Sequence, residues 1–182
     1  MESLAKIITN SFISWTRKSY SEEDIEVFTY GIECFLNSAI TDIILLLWGV
    51  ITHTIIETVC WLFIFCTYRH YAGGAHAKTN EQCIILSSLI GMSNFIVIHF
   101  SKYVIACQIP IIILIFIICI LFAPTKSTKI MLSHKEKLYK KFISVSIIFL
   151  CIIICQFVPI MMATTILYSL FIANILILVS KI

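Results

Sequence analysis

"GVITHT" (Gly49–Thr54) separates two apolar runs, 36–52 and 54–68, and its reading as turn or helix decides the fold. A helix rises about 1.5 Å per residue and a hydrocarbon layer is about 30 Å thick, so about 20 apolar residues cross it. Residues 36–68 are therefore either one long tilted span or two short ones. Thr52-His53-Thr54, with Gly49 just before, favours a turn. Four further runs, 84–101, 103–123, 142–158 and 160–179, are apolar enough to span, so a turn at 52–54 gives six spans.

Basic residues gather on the inner side of a membrane and test the two layouts. With six spans and the N-terminus inside, 12 of the 13 Lys and Arg residues face inward and only Lys102 faces out. With 36–68 as a single span, the division falls to 9 against 4. Six spans with both termini cytoplasmic is the expected layout. Segments 69–83 and 124–141 then share the reducing compartment, where thiols stay free.

Composition agrees with this class. The 182 residues are 60% apolar and 13% charged, with a mean hydropathy of +1.01. A soluble domain is about 45–50% apolar and about 25% charged. The expected fold is an all-α polytopic membrane protein of about six transmembrane helices, and no nucleic-acid partner is expected. Two regions are expected, 1–35 and 36–182. The first carries six acids and no early apolar core, so no signal peptide is expected. Leu4, Ile7, Ile8, Phe12 and Trp15 recur at helical spacing, as in helices lying in a membrane interface. Ser21-Glu22-Glu23-Asp24 resembles a capping box that would start a second helix, with Ile25, Phe28, Ile32 and Phe35 on its apolar side. Anchoring and the gripping of a peptide are both open roles for this region.

Of the eight cysteines, six lie inside apolar runs, where the side chain behaves as a small hydrophobe, and Cys34 ends an amphipathic segment. No CxxC spacing occurs, so neither a zinc ribbon nor a thioredoxin-type centre is supported. Cys83 differs. It closes "RHYAGGAHAKTNEQC" (Arg69–Cys83), the one long polar stretch in the first half of the chain.

Three readings of that stretch stand open. It is an ordinary connector, or a nucleophilic pair of His76 and Cys83, or a metal site using His70, His76 and Cys83 with Glu81 to complete a set. The thiolate is the reactive form of a cysteine, and a helix N-terminus or an imidazole favours it. If a span begins near residue 82, Cys83 lies in its first turn, among unpaired N–H donors suited to an oxyanion. A continuous helix would hold His76 and Cys83 about 10 Å apart. A hydrogen bond needs about 3 Å, so the segment has to double back, and Gly73-Gly74 supplies the freedom. The metal reading matches no familiar zinc spacing.

The order Arg69, Gly73-Gly74, His76, Cys83 resembles the signature of the accessory gene regulator protein B (AgrB) family of bacterial membrane cysteine endopeptidases. Tyr30-Gly31-Ile32-Glu33 and Ala123-Pro124 followed by lysines also match that family's layout, so the similarity covers nearly the whole chain. One departure lies in "APTKSTKIMLSHKEKLYKK" (123–141), where family members often carry a tighter lysine cluster followed by proline. The resemblance implies that Cys83, deprotonated by His76, cuts an AgrD-type precursor peptide on the C-terminal side of its signal segment. A thioester on Cys83 would then pass to a side chain of the precursor and close a thiolactone. No cofactor or metal is implied, the bacterial cell membrane is the expected location, and a homodimer is the favoured assembly.

Supporting roles are assigned to Arg69, Gly73, Gly74, Glu33, Asp42, Lys126 and Lys129. Arg69 is either a headgroup anchor or a clamp for an acidic precursor tail. Lys126 and Lys129 either follow the inside-positive bias or attract that tail. Asp42, nearer the cytoplasmic end of its span, is a candidate to orient His76. His53 and Glu57, toward the outer side, are expected to pair with each other. Two rival classes are a small exporter, for which Cys83→Ser leaves activity intact, and a metal-binding membrane protein, which purifies with stoichiometric zinc or copper.

Overall fold

The computed structural model describes residues 2–16, 20–75, 77, 79–125 and 133–180. Among the described residues every regular element is an α-helix: α1 Glu2–Thr16, α2 Glu22–Ile51, α3 Ile55–Ala72, α4 Asn80–His99, α5 Ser101–Ala106, α6 Gln108–Phe122, α7 His134–Cys155 and α8 Ile160–Val179. Four of them, α2, α4, α7 and α8, are long and apolar enough to cross a membrane. α6 is apolar but only 15 residues long. α3 has 18 residues and carries Glu57, Arg69 and His70. The protein is an all-α polytopic membrane protein. Its chain divides into two compact units, Met1–Leu45 with Ala77–Leu89, and Leu46–His76 with Ile90–Ile182.

The turn at 52–54 is present, and its chemistry is that of a Schellman stop. Thr54 N–H donates to the Gly49 carbonyl at 2.8 Å and His53 N–H to the Val50 carbonyl at 3.2 Å. This 6→1 and 5→2 pairing closes a helix around one left-handed residue. That residue is His53, at φ 56°, a conformation that histidine tolerates better than most side chains. Gly49 serves a different purpose. A methyl group there would sit 2.7 Å from the Thr58 hydroxyl oxygen and 3.3 Å from the Ile55 Cα, so glycine lets the α3 backbone approach. The expected His53–Glu57 pair does not form: no hydrogen bond or ion pair joins them among the described residues. Side chains four apart meet only on a continuous helix, and the stop lies between these two.

Several boundaries differ from the expected ones. α2 runs unbroken across residues 35 and 36, from a first turn of Glu22, Glu23 and Asp24. Ser21 caps it, its hydroxyl accepting Asp24 N–H at 3.2 Å, and the three acids favour the positive end of the helix. α3 continues four residues past 68, so Arg69 and His70 belong to its last turn and the connector begins at Gly73. The run 103–123 is two pieces that meet at Cys107. Pro110 explains the break, because it has no N–H for the Ala106 carbonyl and its ring would strike that group; it is tolerated only in the first turn of α6. α7 begins at His134 rather than 142. Ser133 and Glu136 form a reciprocal capping box there, and Lys135, Lys137, Lys140 and Lys141 are helical.

Packing follows membrane rules. α8 is the centre of its unit and contacts α3, α5, α6 and α7. In its most apolar stretch 56% of residues are buried, against 17% in α2 and in α4. The buried set includes Ala163, Thr164, Thr165, Ser169, Ala173 and Asn174. Small and hydroxylated residues let helices approach closely where lipid removes any hydrophobic drive between them. Asn174 ties α8 to α3 by accepting the Tyr68 hydroxyl at 3.1 Å.

The other unit shows the same inversion. In α1 the buried residues are Ala5 and Thr9, while Leu4, Ile7, Ile8, Phe12 and Trp15 face outward, Trp15 at 80% exposure. Thr29 of α2 donates to the Thr9 hydroxyl at 3.1 Å, and Phe12 stacks on Phe28 at 4.9 Å. An apolar groove of about 780 Å³ is lined by both helices, with Glu23 and Asp24 among its walls. The expected apolar stripe is present as a largely outward face, and α1 meets α2 through Thr9 with Thr29 and through Phe12 with Phe28.

Candidate functional site

Cys83 is a free, half-buried thiol in the first turn of α4. Thr79 caps that turn. Its carbonyl accepts Cys83 N–H at 3.0 Å and its hydroxyl accepts Gln82 N–H at 3.3 Å. The first N–H groups of a helix have no intrahelical partner, so this turn offers the N–H groups of Asn80 and Glu81 as donors, not that of Cys83 itself.

Asn80 fixes the turn to α2. Its amide nitrogen donates to the Glu33 carboxylate, and its amide oxygen accepts the Asn37 amide at 2.7 Å. Glu33 and Asn37 are four apart and lie on one face of α2. Asn37 is only 8% exposed, and its own amide oxygen has no hydrogen-bond partner among the described residues. One turn earlier, Tyr30 shares a hydrogen bond with Cys34 and lies within electrostatic reach of Glu33 and Cys83. Glu33, a sequence candidate, thus stands behind the helix that carries the thiol. Asn80 and Asn37 were not among those candidates, although "TNEQC" (79–83) places a capping threonine and an asparagine directly before the cysteine.

In the other unit, the connector after α3 is held just as firmly. Gly73 and Gly74 have φ of 79° and 145°, values that suit glycine and few other residues. A methyl group on Gly73 would meet the Thr125 hydroxyl oxygen at 2.2 Å. That hydroxyl accepts Gly74 N–H at 2.9 Å, and Thr125 N–H donates to the Ala72 carbonyl at 3.1 Å. Ala75 N–H donates to the Leu176 carbonyl of α8 at 2.9 Å. Arg69 closes the clamp: its guanidinium donates to the Ala75 carbonyl at 2.6 Å and lies 5.4 Å from the centre of the Phe65 ring. The two glycines occupy the positions that the sequence picked out, and Arg69 grips its own connector.

His76, Lys126 and Lys129 lie outside the described residues. Asp42 is half-buried in α2 and makes no hydrogen bond or ion pair among the described residues. Nor does any group of three His, Cys, Asp or Glu side chains among them converge as a metal site requires. His70, a member of the metal reading, sits in the last turn of α3 with its ring edge-on to Tyr71.

The family model described as Accessory gene regulator B matches residues 4–180. The AgrB-like protein 2 of Clostridium perfringens (strain 13 / Type A) is 29% identical over 150 residues, covering 78% of this chain and 69% of that protein. The AgrB-like protein of Clostridium perfringens (strain SM101 / Type A) is similar to the same degree. Accessory gene regulator protein B of Staphylococcus carnosus (strain TM300) is 23% identical over 166 residues, covering 85% of this chain and 84% of that protein. No solved structure matches. With a match from residue 4 to residue 180, the chain belongs to the accessory gene regulator B family.

Proposed function

We propose that this protein is a membrane cysteine endopeptidase of peptide quorum sensing, working at the cytoplasmic face of a bacterial cell membrane with both termini inside. Its substrate is an AgrD-type precursor peptide. The observation that carries this reading is the mounting of Cys83: a free thiol in the first turn of a helix tethered through Asn80 to Glu33 and Asn37.

In this mechanism the His76 imidazole takes the Cys83 thiol proton as sulfur attacks the scissile carbonyl. The N–H groups of Asn80 and Glu81 are the donors available to the tetrahedral oxyanion. The carbon–nitrogen bond breaks, the imidazolium returns its proton to the leaving amine, and the precursor's tail departs. A thioester to Cys83 remains. A thiol of the retained peptide attacks it, the Cys83–acyl bond breaks, a thiolactone forms and the Cys83 thiol is restored. One thioester replaces another, so the exchange needs no external activation. Water competes for the acyl group, and a half-buried sulfur at a membrane boundary limits that loss.

Co-expression with an AgrD-type precursor tests the reading. Mass spectrometry is expected to find the shortened peptide with the wild-type protein, and none with Cys83→Ala or His76→Ala proteins that still insert in the membrane. Unchanged cleavage by Cys83→Ala would sink the proposal.

A further inference from the structure

Thr125 stands outside the sequence pattern that marks the connector, yet the clamp is built on it. Its side chain is buried at 9% exposure, and its hydroxyl is the acceptor for Gly74 N–H. Its backbone N–H holds the Ala72 carbonyl, and its hydroxyl oxygen occupies the space where any side chain at Gly73 would lie. An ordinary surface connector satisfies such groups with water. Here three separate elements do so: the last turn of α3 through Arg69, the last turns of α8 through Leu176, and the residue after Pro124.

There is a physical reason for such a clamp. A path with φ of 79° and then 145° calls for two glycines, and glycine is the residue with the most backbone freedom to lose. A general base has to reach its proton within about 3 Å, and a displacement of about 1 Å can cost about a hundredfold in rate. A two-glycine hinge immediately before such a base would sacrifice that precision. The hydrogen bonds to Gly74 N–H and to both polar groups of Ala75 remove the hinge's freedom up to the peptide that leads into residue 76.

We propose that Thr125 is a positioning residue for peptide cleavage: its hydroxyl, accepting Gly74 N–H, fixes the Gly73–Ala75 backbone that directly precedes the proposed base in the chain. The inference rests on the reading of His76 as base and Cys83 as nucleophile. It assigns Thr125 no contact with substrate.

The test uses the full-length protein in liposomes with a synthetic AgrD-type precursor. Thr125→Val keeps the shape and removes the acceptor, whereas Thr125→Ser keeps the acceptor. Three quantities are read: kcat and KM for tail release, the melting temperature, and the rate at which iodoacetamide alkylates Cys83 without substrate, followed by peptide mass spectrometry. Thr125→Val is expected to lower kcat by about ten- to a hundredfold with KM within about twofold, and to slow Cys83 alkylation. Thr125→Ser is expected to recover most of both. Wild-type kcat and alkylation in Thr125→Val overturn the proposal. So does an equal loss in Val and Ser variants that tracks only the melting temperature, because that is a structural role. If Cys83→Ala or His76→Ala still cleaves, the nucleophile–base reading falls and takes this inference with it. If both are inactive while Thr125→Val is unimpaired, only the positioning role falls.

Discussion

The start of α4 and the end of α3 are held by opposite means. Behind Cys83, the tether runs side chain to side chain: Asn37 to Asn80 to Glu33. Around Gly73–Ala75, nearly every restraint ends on backbone, with Thr125, Arg69 and Leu176 as the outside partners. A side-chain ladder depends on the identity of each member, since an amide both donates and accepts while a carboxylate only accepts. A backbone clamp is indifferent to what Ala75 carries but intolerant of any Cβ where the chain turns left-handed. The two regions should therefore fail under different substitutions.

Gly73→Ala gives the largest expected effect. It forces a methyl group to 2.2 Å from the Thr125 oxygen at a φ of 79°. Precursor cleavage is expected to fall by more than about a hundredfold. Adding Thr125→Gly relieves the clash but not the strain, so the double variant should stay impaired. Full recovery would show that crowding alone had been at work, and the contrast with the ladder would lose its basis.

Asn80 comes next. Asn80→Asp removes the donor to Glu33 and sets two carboxylates together, whereas Asn80→Ala leaves Asn37 and Glu33 without their shared partner. A buried group left unsatisfied costs about 1–3 kcal/mol, so cleavage is expected to fall about ten- to a hundredfold, with Asp the worse of the two. Glu33→Gln keeps an acceptor and should be milder. Measuring kcat for the three variants sharpens the comparison: equal losses would mean that charge and donor pattern at the ladder do not matter.

The smallest effect belongs to a site remote from both mounts. Ser133→Ala removes the cap of α7 and should lower the melting temperature by only about 2–4 °C, with kcat unchanged. A large kcat loss there would blur the distinction between holding the site and holding a helix.

Much of this was open to reading from the residues. The Thr52-His53-Thr54 turn, the glycines at 73 and 74 and the cysteine at 83 among polar neighbours carry local signals that no packing overrides. The break at Cys107 was legible too, because Pro110 forbids a helix through that point, but the surrounding apolar run hides it. Ser133-His134-Lys135-Glu136 is a capping box that a lysine count passes over. Thr125, Asn80 and Asn37 could not be found in this way. Their value comes from partners at 74, 33 and 80, and a single hydroxyl or amide shows no periodicity. Asp42 illustrates the converse. An acid in an apolar run attracts attention, yet among the described residues it engages nothing.

The unbroken α2 has a mechanical consequence. At 30 residues it is about 45 Å long, half as long again as a hydrocarbon layer is thick. Such a rod answers a thicker or thinner bilayer by changing its tilt. Glu33 and Asn37 ride on it, so lipid acyl-chain length is expected to act as a lever on the thiol's mooring, and precursor cleavage is expected to run at different speeds in membranes of different thickness.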